Sequence, residues 1–327
     1  MKYVLVLAAL SFSCSIADAE DAWRDLSPHR SGIVKANGIR LHYLDWGGSG
    51  QPVVFLAGLG NTAHVFDTLA PKFVSRNFHA IGMTRRGFGR SDRPETGYDV
   101  PTRVADLAAF LEVMKIQKVI LIGHSLAGDE LAAFAIAHPA HVVKLVFLDA
   151  AYDRTDALPS VGDLEAALLA SFAAKAPQIP ADASPVDADV IRGKARFGAL
   201  WNESLEAEAR ENYEIGADGK MKRLPRPPVQ ALRDGSRATK IDYGKLTPPS
   251  LMFFSVDNPF EEIPADKRDG VKGAIRAFSE HQHQRIATLK QNPHVQVIAL
   301  SGANHYCWFD RGDEVVSATK KFLAAKP

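Results

Sequence analysis

The residue whose setting most invites chemistry is Ser125. It sits in Val119-Ile120-Leu121-Ile122-Gly123-His124-Ser125-Leu126-Ala127-Gly128, followed by Asp129-Glu130-Leu131. The apolar run reads as a strand buried on both faces, and the residues after the serine as the start of a helix. Small residues around Ser125 let the backbone turn sharply, so the hydroxyl projects above a sheet while a helix N-terminus faces developing negative charge. Strand, tight turn and helix in that order are what a nucleophile elbow requires. The usual pattern is G-x-S-x-G, and here Ala127 occupies the second glycine position with Gly128 one residue later. His124 is assigned to packing rather than proton transfer, because adjacent residues on an elbow point in different directions.

The elements that must position this serine follow from the hydrophobic pattern. Residues 32–46 alternate apolar and polar around Asn37-Gly38, a dipeptide suited to a tight hairpin turn, so two antiparallel strands are expected to open the fold. Buried strands are expected at residues 52–56, 78–83, 119–122, 142–148, 250–254 and 295–300, with helices at 104–114 and 126–137 between them. Such alternation specifies an α/β fold with a mostly parallel sheet covered on both faces. Residues 152–247 break the rhythm: helical spacing appears around residues 164–172 and 201–213, no buried strand is evident, and Pro225-Arg226-Pro227-Pro228 forbids regular helix. The expected organisation is a core of residues 20–151 and 248–327 interrupted by a helical cap of residues 152–247.

With these motifs in place, the chain from Gly38 to Leu323 resembles the α/β-hydrolase fold family, the insertion standing where that family carries its cap. Phe55-Leu56-Ala57-Gly58-Leu59 resembles the family's oxyanion loop, Thr84-Arg85-Arg86-Gly87-Phe88-Gly89-Arg90-Ser91-Asp92 its Gly-rich segment, and Ser301-Gly302-Ala303-Asn304-His305-Tyr306 its histidine loop. Ala57 stands where a histidine is common and Thr84 where an aspartate is frequent. The resemblance implies a serine hydrolase with Ser125 as nucleophile, His305 as base, and the backbone amides of Leu59 and Leu126 as the oxyanion hole, a role in which side chains are free to vary. It leaves the acid between two residues. Asp257, in the loop after residues 250–254, is favoured, although family members commonly place the acid one residue further on, where Asn258 stands. Asp149, after residues 142–148, is the alternative, with Glu261 and Glu262 as outsiders.

The implied chemistry is acyl transfer through an acyl-enzyme, needing no metal or organic cofactor. His281 and His283, two apart in a helix-like segment, diverge and argue against a shared metal. A serine nucleophile speaks against epoxide hydrolase and dehalogenase chemistry, which needs a carboxylate. Carboxylic-ester cleavage is the leading expectation; lactonase, amidase and carbon–carbon bond hydrolase share the triad, and a non-catalytic binder of the same fold is the alternative of another class. Candidate lining residues in the cap are Leu164, Leu168, Phe172, Phe197, Leu200, Trp201 and Tyr213, pointing to an apolar small-molecule substrate. Arg85 and Arg86 are assigned to salt bridges, with approach to a carboxylate-bearing substrate as the alternative.

Lys plus Arg total 39 against 38 Asp plus Glu among 327 residues, so no net field favours nucleic acid or an anionic membrane. Met1-Lys2-Tyr3, an apolar run to Ile16 and Ala17-Asp18-Ala19 resemble a secretory signal peptide cleaved near Ala19, so an exported chain without a stable membrane anchor is expected. Cleavage would remove Cys14 and leave Cys307 with no disulfide partner, a buried thiol near the active site.

Overall fold

The computed structural model describes residues 23–155, 164, 166–167, 170–171, 173, 176–257, 263 and 265–325. The leader through residue 19, Cys14, Leu168, Phe172, Asn258, Glu261 and Glu262 lie outside the described residues. Strands β1 (Arg30–Ala36) and β2 (Ile39–Gly47) form the expected hairpin, with Asn37 at φ +49° and Gly38 at φ +79°, as a tight turn of this kind requires. The chain then continues through β3 (Gln51–Leu56), β4 (Phe78–Met83), α1 (Val100–Val113), β5 (Val119–His124), α2 (Ala127–Ala137) and β6 (Val142–Leu148).

Within the insertion run α3 (Pro185–Phe197), α4 (Glu203–Glu211), the short hairpin β7 (Tyr213–Ile215) and β8 (Met221–Arg223), and α5 (Val229–Arg237). Helix α4 begins where Asn202 accepts the backbone amides of Ser204 at 2.9 Å and Leu205 at 3.4 Å. The β7–β8 hairpin escapes the hydrophobic pattern because it is exposed at every residue but Tyr213. The core resumes with β9 (Ser250–Val256), α6 (Ala265–Leu289), β10 (Val295–Ser301), a one-turn helix (Cys307–Asp310) and α7 (Gly312–Ala324).

Eight strands form one sheet in the order β1-β2-β4-β3-β5-β6-β9-β10, antiparallel at β1/β2 and β2/β4 and parallel from β4 onward. Alternate residues of β5 feed the two cores: Val119 and Leu121 join α1 and α2, while Ile120 and Ile122 join α7 and the turns after β3. A strand covered on both faces has no place for polar side chains, which is why β5 reads as a continuous apolar run. The chain goes from β3 outward to β4 and returns to add β5 on β3's other side, so the loops after β3 and β5 border a crevice at the carboxyl ends of the strands. Such a switch point is where open α/β sheets place their sites. No helix among the described residues is long and apolar enough to cross a membrane.

Candidate active site

Ser125 follows β5 directly and adopts φ +53°, a left-handed conformation that costs about 1–3 kcal/mol for a residue with a Cβ. Its amide donates to the carbonyl of Leu148 at 3.3 Å, tying the bend to the end of β6. The shifted glycine also finds its reason here. A Cβ on Gly128 would lie 1.8 Å from the carbonyl oxygen of Ala150, so glycine is required where α2 crosses the β6 loop, whereas position 127 accommodates a fully buried alanine.

His305 comes from the loop after β10, and its Nδ1 lies 2.6 Å from Oδ2 of Asp149. Asp149 is 2% exposed, and its other oxygen accepts the Tyr152 hydroxyl at 2.5 Å and the Ser255 amide at 3.1 Å. Ser255 in turn donates its hydroxyl to the carbonyl of Asn304 at 2.8 Å, anchoring the histidine loop. The residue favoured from sequence, Asp257, is placed elsewhere: it is half exposed, 3.2 Å from Nε2 of His283 and 2.8 Å from the Ser301 hydroxyl. The geometry therefore brings His305 to Asp149, the alternative from sequence, and not to the favoured Asp257, which lies one strand further from the elbow. His283, expected on a solvated face, is 58% exposed at its side chain.

His124 packs against His305. Its ring centroid is 4.5 Å from that of His305 and its Nε2 bonds the His305 carbonyl at 3.1 Å. Burial, reinforced by the charge His305 can carry, holds its pKa well below the ordinary histidine value, so it is a neutral prop. Burial, and then Asp149, likewise hold the Tyr152 hydroxyl protonated, which keeps it a donor to that carboxylate. Cys307 is buried with its thiol pKa raised, first by burial and then by Asp149 and Asp310.

The loop after β3 closes the other side of the crevice. A Cβ on Gly58 would lie 2.8 Å from Nδ1 of His124 and 3.1 Å from Cβ of Ser125, so glycine alone allows this backbone to reach the serine. Leu59 packs with Leu126, Phe88, Tyr98 and Leu232 in one apolar cluster, and the amides of Leu59 and Leu126 bond no acceptor among the described residues. Arg85 is a buried strut: it pairs with Glu130 of α2 at 2.6 Å and donates to the carbonyls of Ala57 at 2.8 Å and Gly58 at 3.3 Å. Occupying those carbonyls ties the loop's backbone down where Gly58 passes beside the serine. Arg86 is similarly spent on Asp106.

The insertion is docked onto this loop. Glu208 of α4 accepts the amide of Thr62 at 2.7 Å and its hydroxyl at 3.0 Å, and burial raises its pKa to about 7 against the pull of Thr62 and His64. Phe197 of α3 meets Tyr306 edge to face at 5.6 Å, while the Tyr306 hydroxyl donates to Asn61 at 3.1 Å and joins the histidine loop to the oxyanion loop. Leu164 is fully buried and Tyr213 is tied to Asp189 at 2.7 Å, while Trp201 packs against Gly193. Tyr152, Ser255 and Glu208 were missed from sequence. Tyr152 carried a usable signal, lying three residues beyond Asp149 and so able to fold back on it.

The chain belongs to the α/β hydrolase fold family, whose model matches residues 51–226, more than half of its length. It is 39% identical over 120 residues to a non-heme chloroperoxidase of Streptomyces lividans, a match covering 36% of this chain and 44% of that one. It is 33% identical over 154 residues to 2-(acetamidomethylene)succinate hydrolase of Mesorhizobium japonicum, covering 43% and 55%. The chain thus spans about half the length of these relatives. The crystal structure of E-2-(acetamidomethylene)succinate hydrolase superposes with a TM-score of 0.67 over 91% of this chain and 100% of that one, at 22% identity, and shares the fold.

Proposed function

We propose that this α/β hydrolase cleaves carboxylic esters of small, apolar substrates. The observation that carries the reading is the 2.6 Å contact between His305 and buried Asp149, with the His305 ring against His124, the residue before a serine held at φ +53°. Ser125 Oγ attacks the ester carbonyl as His305 Nε2 takes its proton, and the tetrahedral oxyanion is held by the amides of Leu59 and Leu126. Collapse breaks the bond to the alcohol, which leaves with the proton from His305. Water, deprotonated by the same imidazole, then releases the acid and restores Ser125. Asp149 keeps Nδ1 protonated and stabilises the imidazolium formed in both stages.

Phe197, Tyr306 and Leu59 supply the apolar surroundings that favour a hydrocarbon acyl or alcohol group. Residues 1–19 are read as a leader removed on export, so the mature chain would begin at Glu20. A fluorophosphonate probe should label the protein at Ser125 and fail to label Ser125→Ala, and p-nitrophenyl esters graded by chain length, run beside lactones and amides, define the bond cleaved. Folded wild-type protein that takes no label would overturn the catalytic reading in favour of a binder.

A further inference from the structure

A second group of imidazoles and carboxylates lies behind the oxyanion loop. The 3-10 turn Ala63–Phe66 starts at Thr62, whose hydroxyl accepts the amide of His64 at 3.3 Å, and the turn places His64 and Asp67 side by side. The segment before β1 brings Asp25 and His29 against them. One ligand atom from each of Asp25, His29, His64 and Asp67 lies within 4.8 Å of the other three. The nearest separations between the pairs are 2.7 Å for His64 Nδ1 to Asp67, 3.2 Å for His29 Nδ1 to Asp67, 3.5 Å for His64 Nδ1 to Asp25 and 3.6 Å for His29 Nε2 to Asp25. Four ligands about 2.0–2.2 Å from one tetrahedral zinc ion stand about 3.4 Å apart, so a set with one atom from each residue within 4.8 Å closes on an ion by contracting roughly 1 Å at its widest, with His29 using one of its two ring nitrogens.

A further observation concerns His29. Its side chain is only 9% exposed, and its Nδ1, although 3.2 Å from Asp67, is not aligned for a hydrogen bond with it or with any other group among the described residues. A buried ring nitrogen 3.2 Å from a carboxylate oxygen but out of line with it is placed as two ligands facing a common cation would be. The surroundings favour positive charge as well. Glu211 of α4 lies 3.4 Å from Nε2 of His64, so three carboxylates converge, with the Arg90 guanidinium 3.5 Å from Glu211. His42, 3.3 Å from Glu211, stays neutral because burial lowers its pKa to about 4.

We propose that Asp25, His29, His64 and Asp67 form a structural zinc site that clasps the segment before β1 to the turn following the oxyanion loop. His64 binds through Nδ1 while its Nε2–H donates to Glu211, the carboxylate–histidine–metal relay that fixes a ligand's tautomer. Asp67 is oriented by the Ser27 hydroxyl at 2.6 Å and the Trp46 indole at 3.1 Å. Two imidazoles suit zinc better than calcium or magnesium, and four protein ligands leave no open position for substrate, so the ion takes no part in acyl transfer.

The test uses the full chain without a histidine tag, stripped with a chelator and titrated with zinc chloride by calorimetry, with metal content and Tm measured before and after. One zinc per chain and a higher Tm on adding zinc are expected. His29→Ala and Asp25→Asn, both outside the sheet, should weaken zinc binding by at least about 100-fold while still taking the fluorophosphonate label that reports a folded site. A stripped chain that binds no zinc, or variants that bind it as tightly as wild type, would overturn the site and leave the cluster an ion-pair network around a charged His64.

Discussion

Asp149 and Asp257 end adjacent parallel strands, both adopt left-handed backbone, at φ +46° and +68°, and each lies within reach of a histidine. Their surroundings differ completely. Asp149 is buried, faces one imidazole at 2.6 Å and spends its second oxygen on Tyr152 and Ser255. Asp257 is half in water and shares a surface contact with His283. Desolvation and fixed donors suit a strand-end aspartate to the triad role proposed for Asp149, because exposed ion pairs contribute little and do not hold an imidazole in one orientation.

The sharpest way to break this comparison is Asp149→Asn. An amide cannot stabilise the imidazolium and favours the wrong tautomer of His305, so kcat for a p-nitrophenyl ester should fall about ten-thousand-fold with the fold intact by circular dichroism. Glu208 asks what burial does to a carboxylate that no imidazole orients. Its pKa stands at about 7, raised from 4.5, so its stabilising contribution is complete below pH 4.5 and is lost as pH rises through 7. Glu208→Gln should therefore reduce the drop in unfolding free energy between pH 5 and pH 8 by roughly 3 kcal/mol or less, read by urea denaturation.

Tyr152→Phe removes one donor to Asp149 while leaving its contact with His305. A hydrogen bond to a charged group is worth about 1.5–3 kcal/mol, and part of that acts on the base, so kcat should fall by about tenfold with KM little changed. The smallest effect belongs to Asp257→Asn, expected to keep kcat/KM within about twofold of wild type and stability within about 0.5 kcal/mol. If Asp257→Asn abolished turnover while Asp149→Asn did not, the assignment of the acid would reverse.

What was legible in the sequence follows from local physics. Every strand of the main sheet announces itself as an apolar or alternating run, Asn37-Gly38 dictates a turn, and small residues after β5 mark the elbow, since each signal depends on neighbours within a few residues. The β7–β8 hairpin gave no such signal because nearly all of it faces water. Arg85 was legible as a charge but not as the strut beneath the oxyanion loop, since its partners Ala57, Gly58 and Glu130 lie 27–45 residues away along the chain.

The sequence by itself determined the α/β architecture, the sharp bend at Ser125 and the presence of a histidine loop after the last strand, because hydrophobic periodicity and turn chemistry are properties of contiguous residues. The tertiary structure alone decided which aspartate meets His305, that Glu208 of the insertion grips Thr62, and that Asp25 and His29 gather against His64 and Asp67. Those choices turn on burial and on distances of a few tenths of an ångström between segments far apart in the chain, and composition and spacing carry no record of either.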